Sequence, residues 1–182
     1  HAARTELLHR MRYQAHHDSL TDLLSRNGFV QASHSLLKRL THEGSSAAVL
    51  MLDLDHFKRV NDSHGHASGD RLLRDVSSAL AESLRPQDLL GRIGGEEFAV
   101  VLPNISFLDA TTIAERLCQT VRSGQFHTAH NKPLQATLSI GLAYSQTLKA
   151  GDSLDDLLRE ADLALYQAKA RGRDCAVWTA PR

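Results

Sequence analysis

Apolar positions recur along this chain with two different periods, and the periods divide it into elements. "AAVLMLDLD" (47–55) is an uninterrupted apolar run that ends in acid. That pattern predicts a central strand buried on both faces. "LQATLSIGLAYS" (134–145) places Leu134, Ala136, Leu138 and Ile140 at alternate positions, predicting another strand. Runs at 89–93 and 96–102 flank Gly94–Gly95 and predict a β-hairpin. Elsewhere the period lengthens to that of a helix. Phe29, Val30, Leu36, Leu37 and Leu40 mark one over 27–42, and Leu72, Leu73, Val76 and Leu80 mark another over 69–84, with Pro86 just beyond. Ala110, Ile113, Ala114, Leu117 and Val121 mark a third over 106–122. Ser153 and Asp156 resemble a capping box ahead of Leu154, Leu157, Leu158, Ala161 and Leu165; Gly172 stops that helix and "CAVW" follows as a short strand. The core order is β-α-β-β-α-β, an α+β class with a ferredoxin-like antiparallel-sheet core and extra helices. That fold serves many functions, so chemistry must come from particular residues.

Residues 1–17 stand apart. Leu7, Leu8, Met11 and Ala15 form one thin apolar stripe among Arg, His and Gln, too narrow to bury itself alone. The segment is expected to be a helical stalk or coiled-coil end, leaving 18–182 as the folded domain. Opening on His rather than Met, the chain reads as a piece of something longer.

Composition narrows the partners. Lys plus Arg total 21 and Asp plus Glu total 21, so no net charge favours a DNA or RNA polymer or an anionic membrane, although a local cluster suffices for a small anion. Cys118 and Cys175 have no metal or redox spacing, which suits a reducing compartment. No apolar run approaches a membrane span, so this segment is expected to be cytoplasmic, with any membrane anchor lying elsewhere in a longer protein.

Carboxylates gather at strand ends: Asp53 and Asp55 close the first strand, and Glu96 and Glu97 open the third. Alternation puts Asp53 and Asp55 on one face and lets only one of the two glutamates share it. Acids converging at the edge of an apolar core repel unless a cation intervenes, and hard oxygen donors suit Mg²⁺ or Mn²⁺. Solvated strand ends are the plainer alternative. Lys58 follows the aspartates, where a point charge meets phosphate. Asp70 suits the paired N1–H and N2–H donors of guanine, and Asn61 complements O6 or N7; a helix-capping turn explains the same stretch without a ligand. His64 and His66 lack the further ligands of a zinc site. Lys169 and Arg173, one helical turn apart, are placed to clamp a triphosphate or to offset a helix dipole.

Together, "DSLTDLLSR" (18–26), "LDLDHFKRVND" (52–62), "GHASGD" (65–70), "GGEEF" (94–98), "LSIGLA" (138–143) and "ADLALYQAKARGRD" (162–174) resemble the GGDEF family of diguanylate cyclases over about residues 18–178. The resemblance implies the palm-like core of nucleotidyl cyclases and the condensation of two GTP into cyclic di-GMP with release of two pyrophosphates. It implies two divalent cations, Mg²⁺ or Mn²⁺, held by Asp53, the Leu54 carbonyl and Glu96. It assigns guanine to Asn61 and Asp70, with Leu20 lining the pocket and His66 near the substrate, and phosphates to Lys58, Lys169 and Arg173. Lys58 also stabilises transition-state charge, and Glu97 supports either the metals or Lys58. Each domain supplies one GTP, so a homodimer is implied, with the stalk joining an upstream sensory domain.

Arg85 and Asp88 in "RPQD" match the family's inhibitory site for its product, with Arg116 as a secondary arginine; in isolation they read as a surface i,i+3 ion pair. Asp22 and Ser25 depart from the common Gly and Asn of their motif. Two rival functions remain open: a silent receptor for GTP or cyclic di-GMP, and a cyclase with relaxed base choice.

Overall fold

The computed structural model describes residues 2–182. Ala47–Leu54 forms strand β1 with all eight residues buried, and it sits at the centre of a five-stranded sheet. Helices α1 (Ala2–His16) and α2 (Arg26–Glu43) precede it; α3 (Phe57–His64) and α4 (His66–Glu82) follow. Then come β2 (Leu89–Arg92), β3 (Glu97–Pro103), α5 (Phe107–Arg122), a small hairpin of β4 (Phe126–His127) and β5 (Pro133–Leu134), β6 (Leu138–Ser145), α6 (Leu154–Ala170) and β7 (Ala176–Trp178). The sheet order is β2-β3-β1-β6-β7, antiparallel except for β6 beside β7. Its first four strands have the ferredoxin-like order expected of the β-α-β-β-α-β core.

Strand alternation sorts the core into two layers. Ala48, Leu50, Leu52 and Leu54 pack with Leu72, Val76 and Leu80 of α4 and Ile113 and Leu117 of α5. Ala47, Val49 and Met51 pack with Phe29, Leu37 and Leu40 of α2 and Leu157, Ala161 and Leu165 of α6. Complete burial of a Leu or Phe side chain contributes about 1.5–3 kcal/mol, so helices on both faces make the central strands the least movable part of the fold. Ser25, Ser106 and Ser153 cap α2, α5 and α6, each hydroxyl accepting the N–H three residues on.

Two elements differ from the pattern-based expectation. Residues 57–64, to which the pattern assigned no element, form helix α3; its only buried residues are Phe57 and Val60, too few to set a period. The strand expected over 134–145 begins at Leu138, because Leu54 is the last residue of β1 available to pair; Leu134 instead belongs to the β4–β5 hairpin.

The segment 1–17, expected as a stalk, contains helix α1, with residue 1 outside the described residues. No residue of α1 is buried, and Leu7, Leu8 and Met11 stand exposed. It is tied to the domain at its base. Ser25 N–H donates to the His16 carbonyl at 2.8 Å, and the Tyr13 hydroxyl donates to Asp22 at 2.8 Å. Among the described residues no helix is long and apolar enough to cross a membrane.

Candidate active site

The acidic strand ends meet where β1 and β3 run past one another. Asp53 pairs in register with Glu97, so Glu97 is the glutamate that shares its sheet face; Glu96 lies one residue before β3, inside the turn. The expectation that Glu96 opens the strand is therefore corrected: Gly94, Gly95 and Glu96 form the turn, and strand alternation does not govern Glu96. Its backbone is fixed nonetheless, because Leu54 N–H donates to the Glu96 carbonyl at 3.2 Å. Burial pushes the Glu96 carboxyl above the usual range, the negative charges of Asp53 and Glu97 push it further, and Lys169 opposes them. Three carboxylates thus act on one another at one end of the sheet.

Asp53 is buried, and its Oδ2 accepts a hydrogen bond from Lys169 Nζ at 2.8 Å. Lys169 reaches it because α6 lies directly on β6. A Cβ at Gly141 would overlap the Ala161 carbonyl oxygen and the Leu165 amide, so only glycine permits that approach. Asp55, on the same face by alternation, is fully engaged elsewhere. Thr137 and Ser139 hydroxyls donate to it at 2.7 and 2.6 Å, and Asp174 N–H at 3.0 Å. It is a structural carboxylate that pins the chain leaving α6. That chain leaves earlier than expected: α6 ends at Ala170, and Arg173 sits in a left-handed turn with φ 68°. The idea that Lys169 and Arg173 lie one turn apart on a helix is corrected accordingly; Arg173 is exposed on the following loop.

The other candidate ligands lie at the junction of α3 and α4, which meet at Gly65 with φ 83° and ψ 163°. Asn61 projects from α3 against Gly69, where any Cβ would overlap its Oδ1. That Oδ1 is buried with no hydrogen-bond partner, and a buried unpaired carbonyl costs about 1–3 kcal/mol. Asp70 follows Gly69 directly and is exposed just past the first turn of α4. Lys58 is exposed on the first turn of α3, and His66 is exposed at the start of α4. Leu20 is partly buried against the α4–α5 layer. Among the described residues, no group of three or more His, Cys, Asp or Glu side chains is placed to hold a metal by itself.

Two further residues hold the turn, and the sequence reading gave them no role. Arg92 donates through Nε and Nη2 to the Gly95 carbonyl at 3.0 and 2.8 Å, and through Nη1 to Asp18 at 3.0 and 3.2 Å. Burial raises the Asp18 carboxyl, but hydrogen bonds from Thr21 and Arg92 outweigh it and hold the group below its usual range. Asp18 and Arg92 both fall inside quoted motifs, yet 74 residues separate them and no local pattern links them.

Arg85 and Asp88 adopt the ion pair of the plainer reading. Arg85 donates to Asp88 through Nη2 at 2.7 Å and through its own backbone N–H at 2.7 Å, and also to the Pro103 carbonyl at 2.8 Å. The Asp88 side chain is wholly buried by this. Both residues line a cleft of about 270 Å³ shared with His17, Asp22 and Leu90. Arg116 comes to the same end of the molecule, donating to the Ser83 carbonyl at 2.6 Å.

Comparison with known proteins gives a consistent result. The family model described as "Diguanylate cyclase, GGDEF domain" matches residues 15–175. The response regulator PleD of Caulobacter vibrioides is 42% identical over 161 residues, covering 88% of this chain and 35% of PleD. The chain thus spans about a third of the length of that relative. Among solved structures, the coiled coil and GGDEF domain of DgcB from Caulobacter crescentus, in complex with c-di-GMP, is 29% identical with a TM-score of 0.91, covering 98% of this chain and 93% of that one. The active GGEEF domain of a diguanylate cyclase from Vibrio cholerae is 28% identical with a TM-score of 0.77, covering 87% and 98%.

Proposed function

Since the chain belongs to the GGDEF-domain family of diguanylate cyclases, we propose that it condenses two GTP into cyclic di-GMP and two pyrophosphates between two copies of the domain. The observation that carries this reading is the meeting of Asp53, Glu96 and Lys169 at one end of the sheet. The α3–α4 junction, with the unpartnered Asn61 carbonyl, supplies the recognition half of the same site.

Cyclases of this family are metal-dependent, and the donor set here fits a divalent cation. Burial raises the Glu96 carboxyl, the charges of Asp53 and Glu97 raise it further, and a cation would relieve that repulsion through hard oxygen donors. Asp53, Glu96 and the Leu54 carbonyl would hold two Mg²⁺ or Mn²⁺ ions, with Glu97 supporting the site from the shared face. When bound, the metals neutralise phosphate charge and lower the pKa of the attacking hydroxyl. The chain's own residues do the rest. Asn61 and Asp70 orient guanine, with Leu20 against the base and His66 nearby. Adenine lacks the N1–H and N2–H donors that Asp70 accepts, which disfavours the relaxed-base reading. Lys58, Lys169 and Arg173 bind phosphates, and Lys58 meets charge developing in the transition state.

Two copies are required because each holds one nucleotide and the 3′-hydroxyl of one must reach the α-phosphorus of the other. The exposed stripe of α1 is the proposed dimerising stalk, residues 1–17 leading from an upstream sensory domain into a cyclase domain over 18–182. Product feedback is assigned to Arg85, Asp88 and Arg116. The chain is expected to work in the cytoplasm.

The test is incubation with GTP and Mg²⁺, with separation of products. Cyclic di-GMP is expected, and Glu96→Ala should abolish it while the circular dichroism spectrum is kept. A dimer that binds GTP but makes no cyclic product would favour a silent receptor, and turnover retained in Glu96→Ala would overturn the metal assignment.

A further inference from the structure

We infer that Lys169 is a displaceable internal counter-ion. It neutralises Asp53 until nucleotide phosphates draw it away, so that loading of nucleotide and loading of metal are coupled through one ammonium group. The inference rests on the reading of Asp53 and Glu96 as metal ligands.

Four observations support it. The Lys169 ammonium stands 2.8 Å from Asp53 Oδ2, so it occupies a carboxylate oxygen that a divalent cation would need as a ligand. Asp53 has only about a tenth of its side chain exposed, whereas Lys169 keeps about a third, so the lysine is the member free to leave. Besides its ion pair with Asp53, the Lys169 charge also acts on Glu96. It also emerges from the last turn of α6, a helix held rigidly against β6 by the close approach at Gly141. Its tether is therefore fixed while four side-chain carbons remain free to swing.

Electrostatics sets the direction of the coupling. A buried carboxylate left without a partner is costly, so Asp53 must exchange one cation for another rather than be bared. An ammonium and a metal ion cannot share the same carboxylate oxygen without repulsion. Without nucleotide the lysine competes with the metal. With a triphosphate present it has an alternative partner of higher charge, and Asp53 becomes available. Linkage requires reciprocity, so metal should release Lys169 to the phosphates to the same extent.

The decisive measurement is binding of Mn²⁺ alone to nucleotide-free protein by electron paramagnetic resonance. Removing the competing ammonium in Lys169→Met should tighten Mn²⁺ binding about fivefold or more, the lower end of ordinary site-to-site coupling. Lys169→Arg, which keeps the cation, should not tighten it. In the wild-type protein, the ¹⁵N ammonium resonance of Lys169 should show slow proton exchange while paired and lose it on titration with Mg²⁺. This second readout needs no variant and holds if Lys169→Met fails to fold. Unchanged or weaker Mn²⁺ binding in folded Lys169→Met, or a Lys169 resonance indifferent to Mg²⁺, would overturn the inference. Asp53→Asn separates the two levels: if it abolishes Mn²⁺ binding while Lys169→Met fails to tighten it, only the counter-ion idea falls. If Asp53→Asn leaves Mn²⁺ binding intact, the metal reading falls and takes this inference with it.

Discussion

Arg85 illustrates how one side chain serves both a structural and a proposed regulatory role. Its guanidinium satisfies the buried Asp88 carboxylate and the Pro103 carbonyl together. In the proposed product site, cyclic di-GMP would have to draw the Arg85 guanidinium from these bonds into bonds of its own in the neighbouring cleft. Arg85→Ala should raise the inhibition constant for cyclic di-GMP about tenfold or more, as expected for losing bonds of roughly 1.5–3 kcal/mol. The same change leaves the Asp88 carboxylate with only the backbone N–H of residue 85, so the melting temperature should fall as well. A lowered melting temperature with an unchanged inhibition constant would assign Arg85 to structure alone.

At the scale of elements, the position of Lys169 depends on helix α6 lying flush against β6. Nothing flexible faces Gly141; the atoms a Cβ would strike are the backbone of Ala161 and Leu165. Gly141→Ala must therefore lift the helix, at about 1–3 kcal/mol for overpacking, and draw Lys169 off Asp53. Urea unfolding should show a lower midpoint with the same slope; stability within about 0.5 kcal/mol of wild type would contradict this packing argument. The elements that carry the site were legible to different degrees for physical reasons. β1, α4, α5 and α6 bury long faces, and long faces leave a period in the sequence. Helix α3, with only Phe57 and Val60 buried, leaves none, yet it carries Asn61 and Lys58. The convergence of Asp53 with the glutamates follows from strand polarity. Which glutamate shares its face depends on where the turn ends, and that became visible only in the register Asp53↔Glu97. Asp18 and Arg92 were hidden because they meet only after α2 and β2 have packed.

For the whole molecule, the proposed reaction between two copies raises the question of what brings them together. The α1 stripe exposes Leu7, Leu8 and Met11, with at least half of Leu7 and Met11 open to solvent at 59% and 58%. Leu8, Met11 and Ala15 follow a heptad-like spacing of three and four, the seam of a two-stranded coil. The base of this helix is not a loose hinge. Tyr13 stacks on His17 at 3.8 Å and donates to Asp22, whose φ of 60° places its carboxylate on the turn that leads to Asp18. From Asp18 the contact runs through Arg92 to the Gly95 carbonyl of the glycine–glutamate turn. In the proposed dimer, this run of packed and hydrogen-bonded groups would connect the base of the stalk to the Gly95 carbonyl in the turn that carries Glu96. If the stalk makes the dimer, turnover per subunit should rise with protein concentration until dimers saturate. Replacing both Leu8 and Met11 by Ser should then move the half-saturating concentration upward about a hundredfold or more, since burying two such side chains contributes about 1.5–3 kcal/mol each. Sedimentation should show the matching shift toward monomer. A specific activity that is constant on dilution into the monomer range would instead locate the productive encounter on the domain faces, with α1 acting only as a connection.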